Sequence, residues 1–258
     1  MRIGLCLPMM GSLAPEVVGG FMSLAVELSR FGEVLVATIH DYAPHDRART
    51  FLLDTAINGK CDYAVLIDSD TVVPAMAGAL LLKRILETKA WLVTGHYYRR
   101  GFPYSSCWSK KVDGNYRYVD PLPSTGLIEL DATGLGFCVV DVNKVKNLQR
   151  PHFRMFLKDD GEVRTWEDGY FCGLIRQSDG VIIGDSHIRV GHLDQREVIC
   201  DETALRLRQA SMKSLIDSGT IKTEFEQKEE KENGSDDCLC EGNRGEEGTA
   251  EDSHEAEQ

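Results

Sequence analysis

The 258-residue chain lacks any apolar segment long enough to cross a bilayer, and no stripe of Lys and Arg runs along it. The first absence excludes a helical membrane span, and the second argues against a nucleic-acid groove, where clustered cations supply most of the affinity. The eight cysteines form no Cys-x-x-Cys pair and no Cys/His cluster with zinc spacing, so neither a zinc module nor a redox pair is expected. Several sit inside apolar runs, as buried thiols do in a reducing compartment, and a cytoplasmic setting is expected. Met1 to Met10 is apolar but carries an Arg and lacks the layout of a signal peptide; it reads as a first strand.

The charge is unevenly placed. The net formal charge is -12, but Lys222 to Gln258 holds 14 acids against 4 bases, which leaves 27 acids and 25 bases in the first 221 residues. The main body is therefore nearly neutral and suited to charged small molecules. Beyond about Thr223 there is almost nothing to bury, and residues 223–258 read as a disordered acidic tail. Cys238 and Cys240 in that tail have no nearby His or further Cys pair to complete a metal site.

Residues 1–100 alternate between the two periodicities of regular structure. Strands are expected at Arg2 to Leu7, Glu33 to Ile39, Tyr63 to Ile67 and Trp91 to Gly95. Helices are expected at Pro15 to Arg30, Arg47 to Ile57 and Ala75 to Glu87. This order predicts a mostly parallel, Rossmann-like sheet covered by helices. The second half is richer in short strands (Tyr116 to Val119, Gly126 to Leu130, Gly136 to Val140, Val181 to Gly184, His187 to Val190), which predicts an antiparallel extension. Asp141 to Leu148 and Glu167 to Gln177 read as helices, the former capped by Asp141, and Arg196 to Ile216 as a charged surface helix.

Tyr63-Ala64-Val65-Leu66-Ile67-Asp68-Ser69-Asp70 is an apolar run that ends on two carboxylates. Ligands of α/β sheets bind at the carboxyl ends of the strands. Asp-x-Asp there offers hard oxygen ligands for Mg²⁺ or Mn²⁺ and, through the ion, for phosphates. Asp and Ser also cap helices, but a cap needs one acid, and a second raises local repulsion.

Three later motifs join it. Ala132-Thr133-Gly134-Leu135-Gly136-Phe137 places two glycines where backbone can approach a ligand or turn tightly; without a following helix or third glycine it is no dinucleotide fingerprint. In Trp166-Glu167-Asp168-Gly169-Tyr170-Phe171, two acids open a helix among large rings, which suits both a helix dipole and a carboxylate of raised pKa. Asp185 to Leu193 ends in Gly191-His192, and a neutral imidazole is a good Mn²⁺ ligand beside carboxylates. Arg47, Arg49, Arg99 and Arg100 fall near strand ends, where guanidinium groups can grip a diphosphate or a charged acceptor.

The order of these motifs resembles the GT-A class of nucleotide-sugar glycosyltransferases, and among them the short family-two-like type, over roughly residues 1–195. The resemblance implies a three-layer α/β/α GT-A domain with a mixed central sheet, followed by the helix at 196–222. It implies a divalent metal, Mn²⁺ or Mg²⁺, a nucleotide-sugar donor and a hydroxyl acceptor. By position, Asp70, His192 and Asp68 would hold the metal. Pro8, Arg47, Arg49, Asp68, Ser69 and Asp70 would face the donor. Asp168, with Glu167, would supply the acceptor-activating base, and Thr133, Gly134, Gly136, Phe137, Trp166 and Arg99 would line the sugar and acceptor pocket. The first strand ends Leu7-Pro8-Met9-Met10 where family-two enzymes usually carry Pro-Thr/Ala-Tyr/Phe-Asn, and no Gln-x-x-Arg-Trp of processive membrane synthases follows.

Two other classes account for part of the pattern. Asp68-Ser69-Asp70-Thr71-Val72-Val73 formally satisfies the nucleophile motif of haloacid-dehalogenase-type phosphohydrolases, with Asp68 attacking a phosphoester. In that class the nucleophile strand comes first, whereas here two β-α units precede it, and Arg189 stands where a second acid after Asp185 is needed. A non-catalytic nucleotide-sugar or glycan-binding protein would have no need of both acidic motifs and His192.

Overall fold

The computed structural model describes residues 1–9, 11–40, 44–124, 126–194, 197–218 and 220. The acidic tail expected from residue 223, with Cys238 and Cys240, lies outside the described residues, as do Met10 and Arg196. The chain divides into two units, Met1–Ala210 and Ser211–Gln258. In the second, described residues continue a helix as far as Asp217.

The first unit begins with β1 (Arg2–Met9), α1 (Pro15–Ser29), β2 (Glu33–His40), α2 (His45–Asn58), β3 (Tyr63–Ile67), β4 (Thr71–Val72), α3 (Ala77–Thr88) and β5 (Leu92–His96). These match the expected alternation to within a few residues, apart from the short β4. The chain continues through β6 (Trp108–Val112), β7 (Asn115–Tyr118), β8 (Leu127–Leu130), β9 (Ala132–Thr133), β10 (Phe137–Asp141) and α4 (Val142–Val145). Then follow β11 (Phe156–Leu157), β12 (Val163–Thr165), α5 (Glu167–Gln177), β13 (Ile182–Arg189), β14 (Gly191–Asp194), β15 (Glu197–Ile199) and α6 (Asp201–Asp217).

The central sheet has seven strands in the order β2-β1-β3-β10-β5-β13-β8. β2, β1, β3, β5 and β13 run parallel, and β10 and β8 oppose them. The antiparallel component is therefore not only an extension at the edge. β10 lies between β3 and β5, pairing Phe137 with Ile67 and Cys138 with Thr94. β1, β3 and β10 are buried along nearly their whole length, which is why they read as continuous apolar runs. Each fully buried Leu, Ile or Phe there contributes roughly 1.5–3 kcal/mol.

Helices cover this sheet. α1 starts with Pro15, whose missing N–H is no loss in a first turn, and buries Val17, Leu24 and Leu28. α3 packs against α1 so closely that a Cβ on Gly78 would lie 2.0 Å from Leu24 Cδ1. Leu81, Leu82 and Ile85 occupy the buried stripe of α3.

Four expectations need correction. The surface helix expected from Arg196 begins only at Asp201, as α6, because Glu197–Ile199 are drawn into the strand β15 by pairing with β14. The helix from Asp141 to Leu148 is a single turn, α4; Asp141 does cap it, its carboxylate accepting from the Asn143 N–H at 3.1 Å. The strands at 181–184 and 187–190 are one strand, β13, whose pairing with β5 shifts register between Gly184 and Arg189. β7 joins β6, which local periodicity did not reveal, and β9 in a separate three-stranded sheet. A second small sheet, β15-β14-β4, pairs His192 with Thr71.

Candidate active site

The Asp-x-Asp lies in the turn between β3 and β4, where the chain leaves the sheet. The turn is held from both sides. The Asp68 N–H donates to the Gly136 carbonyl at 2.9 Å and the Thr71 N–H to the Asp68 carbonyl at 3.1 Å. Thr71 Oγ1 donates to Gly136 O at 3.0 Å. The strand pairing of β10 with β3 thus fixes the glycine-rich segment beside the acids.

The two acids have different partners. Asp70 Oδ2 lies 3.4 Å from His192 Nε2 and 3.1 Å from Arg100 Nη1. The β4–β14 pairing brings His192 there, and the Leu193 N–H donates to the Asp70 carbonyl at 2.7 Å. Burial raises the Asp70 carboxyl, but the hydrogen bond and charge of His192 and the Arg100 guanidinium outweigh it and hold the group below its ordinary range. Burial lowers the His192 imidazole, and bonding to Asp70 more than reverses this, so it lies above its ordinary value.

Asp68 instead faces α2. Arg49 Nη2 spans its two oxygens at 2.8 and 2.9 Å, and Arg49 Nε lies 3.4 Å from Glu167 Oε1. Arg49 is 6% exposed. Burial opposes its charge, yet Asp68, Glu167 and Asp168 overcome that penalty and hold the guanidinium above its ordinary value. It therefore fastens the end of β3 to the start of α5, where the sequence suggested a guanidinium reaching for a ligand.

A cleft of about 870 Å³ opens beside these groups, with His192, Thr133, Gly134, Trp166, Glu167 and Asp168 in its wall. Asp168 accepts from the Gly169 N–H at 2.6 Å. Burial, then the neighbouring Glu167 charge, push its carboxyl up to about 6 against the pull of Arg49 and of that N–H. An acid at the first turn of a helix is ordinarily favoured as the anion; here burial wins.

The glycines of Gly134-Leu135-Gly136 are explained by Tyr97. The Gly136 N–H donates to the Tyr97 hydroxyl at 3.0 Å, and a Cβ on Gly134 would lie 2.1 Å from that oxygen. The buried Tyr97 ring also meets the His192 imidazole edge-on at 5.3 Å. Tyr97 escaped the sequence reading because nothing local marks a tyrosine after a buried strand as the neighbour of a segment 37 to 39 residues onward.

The remaining expected residues are dispersed. Pro8 is buried in β1 opposite Ile39, and Ser69 is half-buried in the β3–β4 turn. Arg47 lies on α2 in the wall of a separate cleft of about 490 Å³, with Phe51, Phe153 and Arg154. Phe137 is fully buried in the core, and neither it nor Gly136 reaches the main cleft. Arg99 is exposed in the cleft wall, donates to the Tyr118 hydroxyl and lies over the Tyr118 ring at 5.2 Å. Tyr116, Tyr118 and Arg164 also line the cleft and had no sequence signal beyond an alternating Tyr-x-Tyr.

Asp70 and His192 offer one carboxylate and one imidazole, two donor types that a divalent cation such as Mn²⁺ accepts. His192 Nδ1 donates to the Tyr98 carbonyl at 2.8 Å, which commits that nitrogen and leaves Nε2 toward Asp70, the arrangement a metal-bound imidazole adopts. Among the described residues no three His, Cys, Asp or Glu side chains converge, so an ion there would take its other oxygens from phosphate or water. Asp68, expected as a third ligand, is engaged by Arg49.

No protein-family model matches the chain, and no curated protein matches it. Solved structures do. The protein A197 from STIV superposes with a TM-score of 0.55 at 18% identity, over 78% of this chain and 94% of that one. GalNAc-T7, in a crystal structure with UDP, GalNAc and Mn²⁺, superposes with a TM-score of 0.52 at 13% identity, over 76% of this chain. The match spans 44% of the GalNAc-T7 chain, less than half of its length. The mixed seven-stranded sheet and C-terminal helix are those of the GT-A fold, and the chain is structurally similar to glycosyltransferases of that fold.

Proposed function

We propose that the chain is a divalent-metal-dependent glycosyltransferase that moves a sugar from a nucleotide-sugar donor to an acceptor hydroxyl. The observation that carries the reading is one cleft whose wall holds both His192, the partner of Asp70, and Asp168, a carboxylate with its pKa raised to about 6. A leaving diphosphate needs positive charge, and an attacking hydroxyl needs a base. The ion held at Asp70 and His192, with Arg100, would supply the first and Asp168 the second, and the GT-A fold supports the reading.

Asp70 and His192 would hold Mn²⁺ or Mg²⁺, which when bound supplies the Lewis-acid charge that a departing diphosphate requires. The acceptor oxygen forms a bond to the anomeric carbon as the bond from that carbon to the diphosphate oxygen breaks. The hydroxyl proton passes to Asp168, and the electron pair leaves with the nucleoside diphosphate. Arg100, bonded to Asp70, adds a second cation on the phosphate side. Arg49 keeps Asp68 and Glu167 in place and stabilises the ionised form of Asp168.

The phosphohydrolase reading fares less well. A nucleophilic Asp68 needs an oxygen free for phosphorus, and both of its oxygens accept from Arg49. Asp185, which would sit near the metal in that class, is fully buried and bonded to Arg84 at 2.6 Å.

Calorimetric titration of Mn²⁺ in the presence of UDP tests the proposal. Wild-type protein is expected to bind the pair, and Asp70→Ala to lose at least tenfold in Mn²⁺ affinity; equal affinity in that variant removes Asp70 from the metal site.

A further inference from the structure

We propose that the main cleft includes an acceptor subsite for a carbohydrate, lined by the rings of Tyr116, Tyr118 and Trp166. This rests on the glycosyltransferase reading and deepens it by giving the class of the acceptor. The three rings are 53%, 47% and 53% exposed, although each lines the cleft. Tyr116 and Tyr118 are two residues apart on β7 and so share one face of the hairpin, opposite Lys111 and Ser109 of β6. Trp166 is the residue immediately before Glu167 and Asp168, so an object lying on its ring is presented next to the proposed base.

Exposed rings gathered in one cleft offer flat apolar faces that the fold itself does not bury. The same cleft wall carries polar side chains with several directed hydrogen-bond positions: Arg99, Arg164, Gln177 and Thr165. A pyranose combines the two properties, with C–H faces that lie on an aromatic ring and a rim of hydroxyls for planar donors and acceptors. At about 870 Å³, near the upper end of the roughly 300–1,000 Å³ of small-molecule pockets, the cleft has room for a second ring system beside a donor sugar.

Charge separates this from the other polymer that stacks on aromatic rings. A single nucleic-acid strand needs a cationic groove along its backbone. Here Arg100 is paired with Asp70, and Arg99 and Arg164 share the wall with Glu167 and Asp168, so the cleft carries both signs of charge where a strand-binding groove would carry a continuous cationic track.

Trp166 is also the reporter, because Trp108 is fully buried and Trp91 is half-buried. The experiment titrates the intact chain, without donor or metal, with trisaccharides of glucose, galactose, mannose and N-acetylglucosamine, and with a thymidine decanucleotide and a Ser/Thr-rich decapeptide as alternatives, while following tryptophan emission. The expected result is a saturable shift with at least one trisaccharide, weakened at least tenfold in Tyr116→Ala and Tyr118→Ala variants that melt as the wild type does, while Trp166→Ala, which removes the reporter, loses at least tenfold in affinity by calorimetry. A response to the decanucleotide or the decapeptide with none to any sugar overturns the proposal, as does silence toward all probes in a protein that a nucleotide-sugar stabilises. Sugar binding in a protein that no donor stabilises would support the carbohydrate subsite and overturn the transferase reading instead.

Discussion

Asp168→Asn is expected to stabilise the protein while removing its activity. The folded chain holds the Asp168 carboxyl at about 6, against the ordinary 3.8, so it binds that proton more tightly than the unfolded chain does. This contribution to stability is fully present below pH 3.8 and is lost as pH rises through 6. By pH 8 the carboxylate is ionised in both states, and the folded state carries a penalty of up to about 3 kcal/mol. Asparagine carries none of it and keeps an oxygen to accept from the Gly169 N–H. For a domain of this size the difference corresponds to a rise of roughly 6–12 °C in melting temperature at pH 8. The assay is circular-dichroism melting of both proteins from pH 5 to 8. The gap should widen as pH rises, from roughly half its full size at pH 5 to all of it at pH 8. A variant that melts below wild type at pH 8 would show that the charge of Asp168 at the α5 N-terminus outweighs its burial, and a gap independent of pH would refute the linkage.

Three further perturbations test other parts of the site. Arg49→Met removes the buried cation between Asp68 and Glu167 and should cost about 3–5 kcal/mol in urea unfolding; a loss under about 1 kcal/mol would mean that the two acids do not need it. Gly134→Ala drives a Cβ into the Tyr97 hydroxyl and should destabilise by about 1–3 kcal/mol, with part of the loss recovered when Tyr97→Phe is added; strictly additive effects would show that the contact is not the cause. His192→Ala should weaken Mn²⁺ binding as Asp70→Ala does, and the double variant should lose little more than either alone; independent losses would separate the two residues.

The legible parts of the molecule were those set by local chemistry. Parallel strands buried on both faces leave continuous apolar runs, helices leave a 3.6-residue repeat, and Pro15 marks a helix start, so β1 through β5 could be read with only small errors at their ends, save the two-residue β4. Asp68 and Asp70 were legible because acids directly after an apolar strand are conspicuous. His192 beside Asp70, 122 residues away, was expected only through the resemblance, and the ion pairs of Arg49 with Asp68 and of Arg100 with Asp70, 19 and 30 residues apart, had no local sign. The insertion of β10 between β3 and β5 has no local signature either, because a short apolar strand looks the same at the centre and at the edge of a sheet. The strand that carries Tyr116 and Tyr118 was legible, but all four of its residues are exposed, so no buried face showed which side lines the cleft.

The GT-A reading is tested most directly by thermal-shift screening of the intact chain against UDP-, GDP-, CMP- and dTDP-sugars, each with and without Mn²⁺, since a ligand bound only by the folded state raises the melting temperature. The account predicts that one nucleotide class stabilises the protein, that it does so only with Mn²⁺, and that the effect disappears in Asp70→Ala. Stabilisation by no donor under either condition, together with turnover of a generic phosphoester, would contradict it.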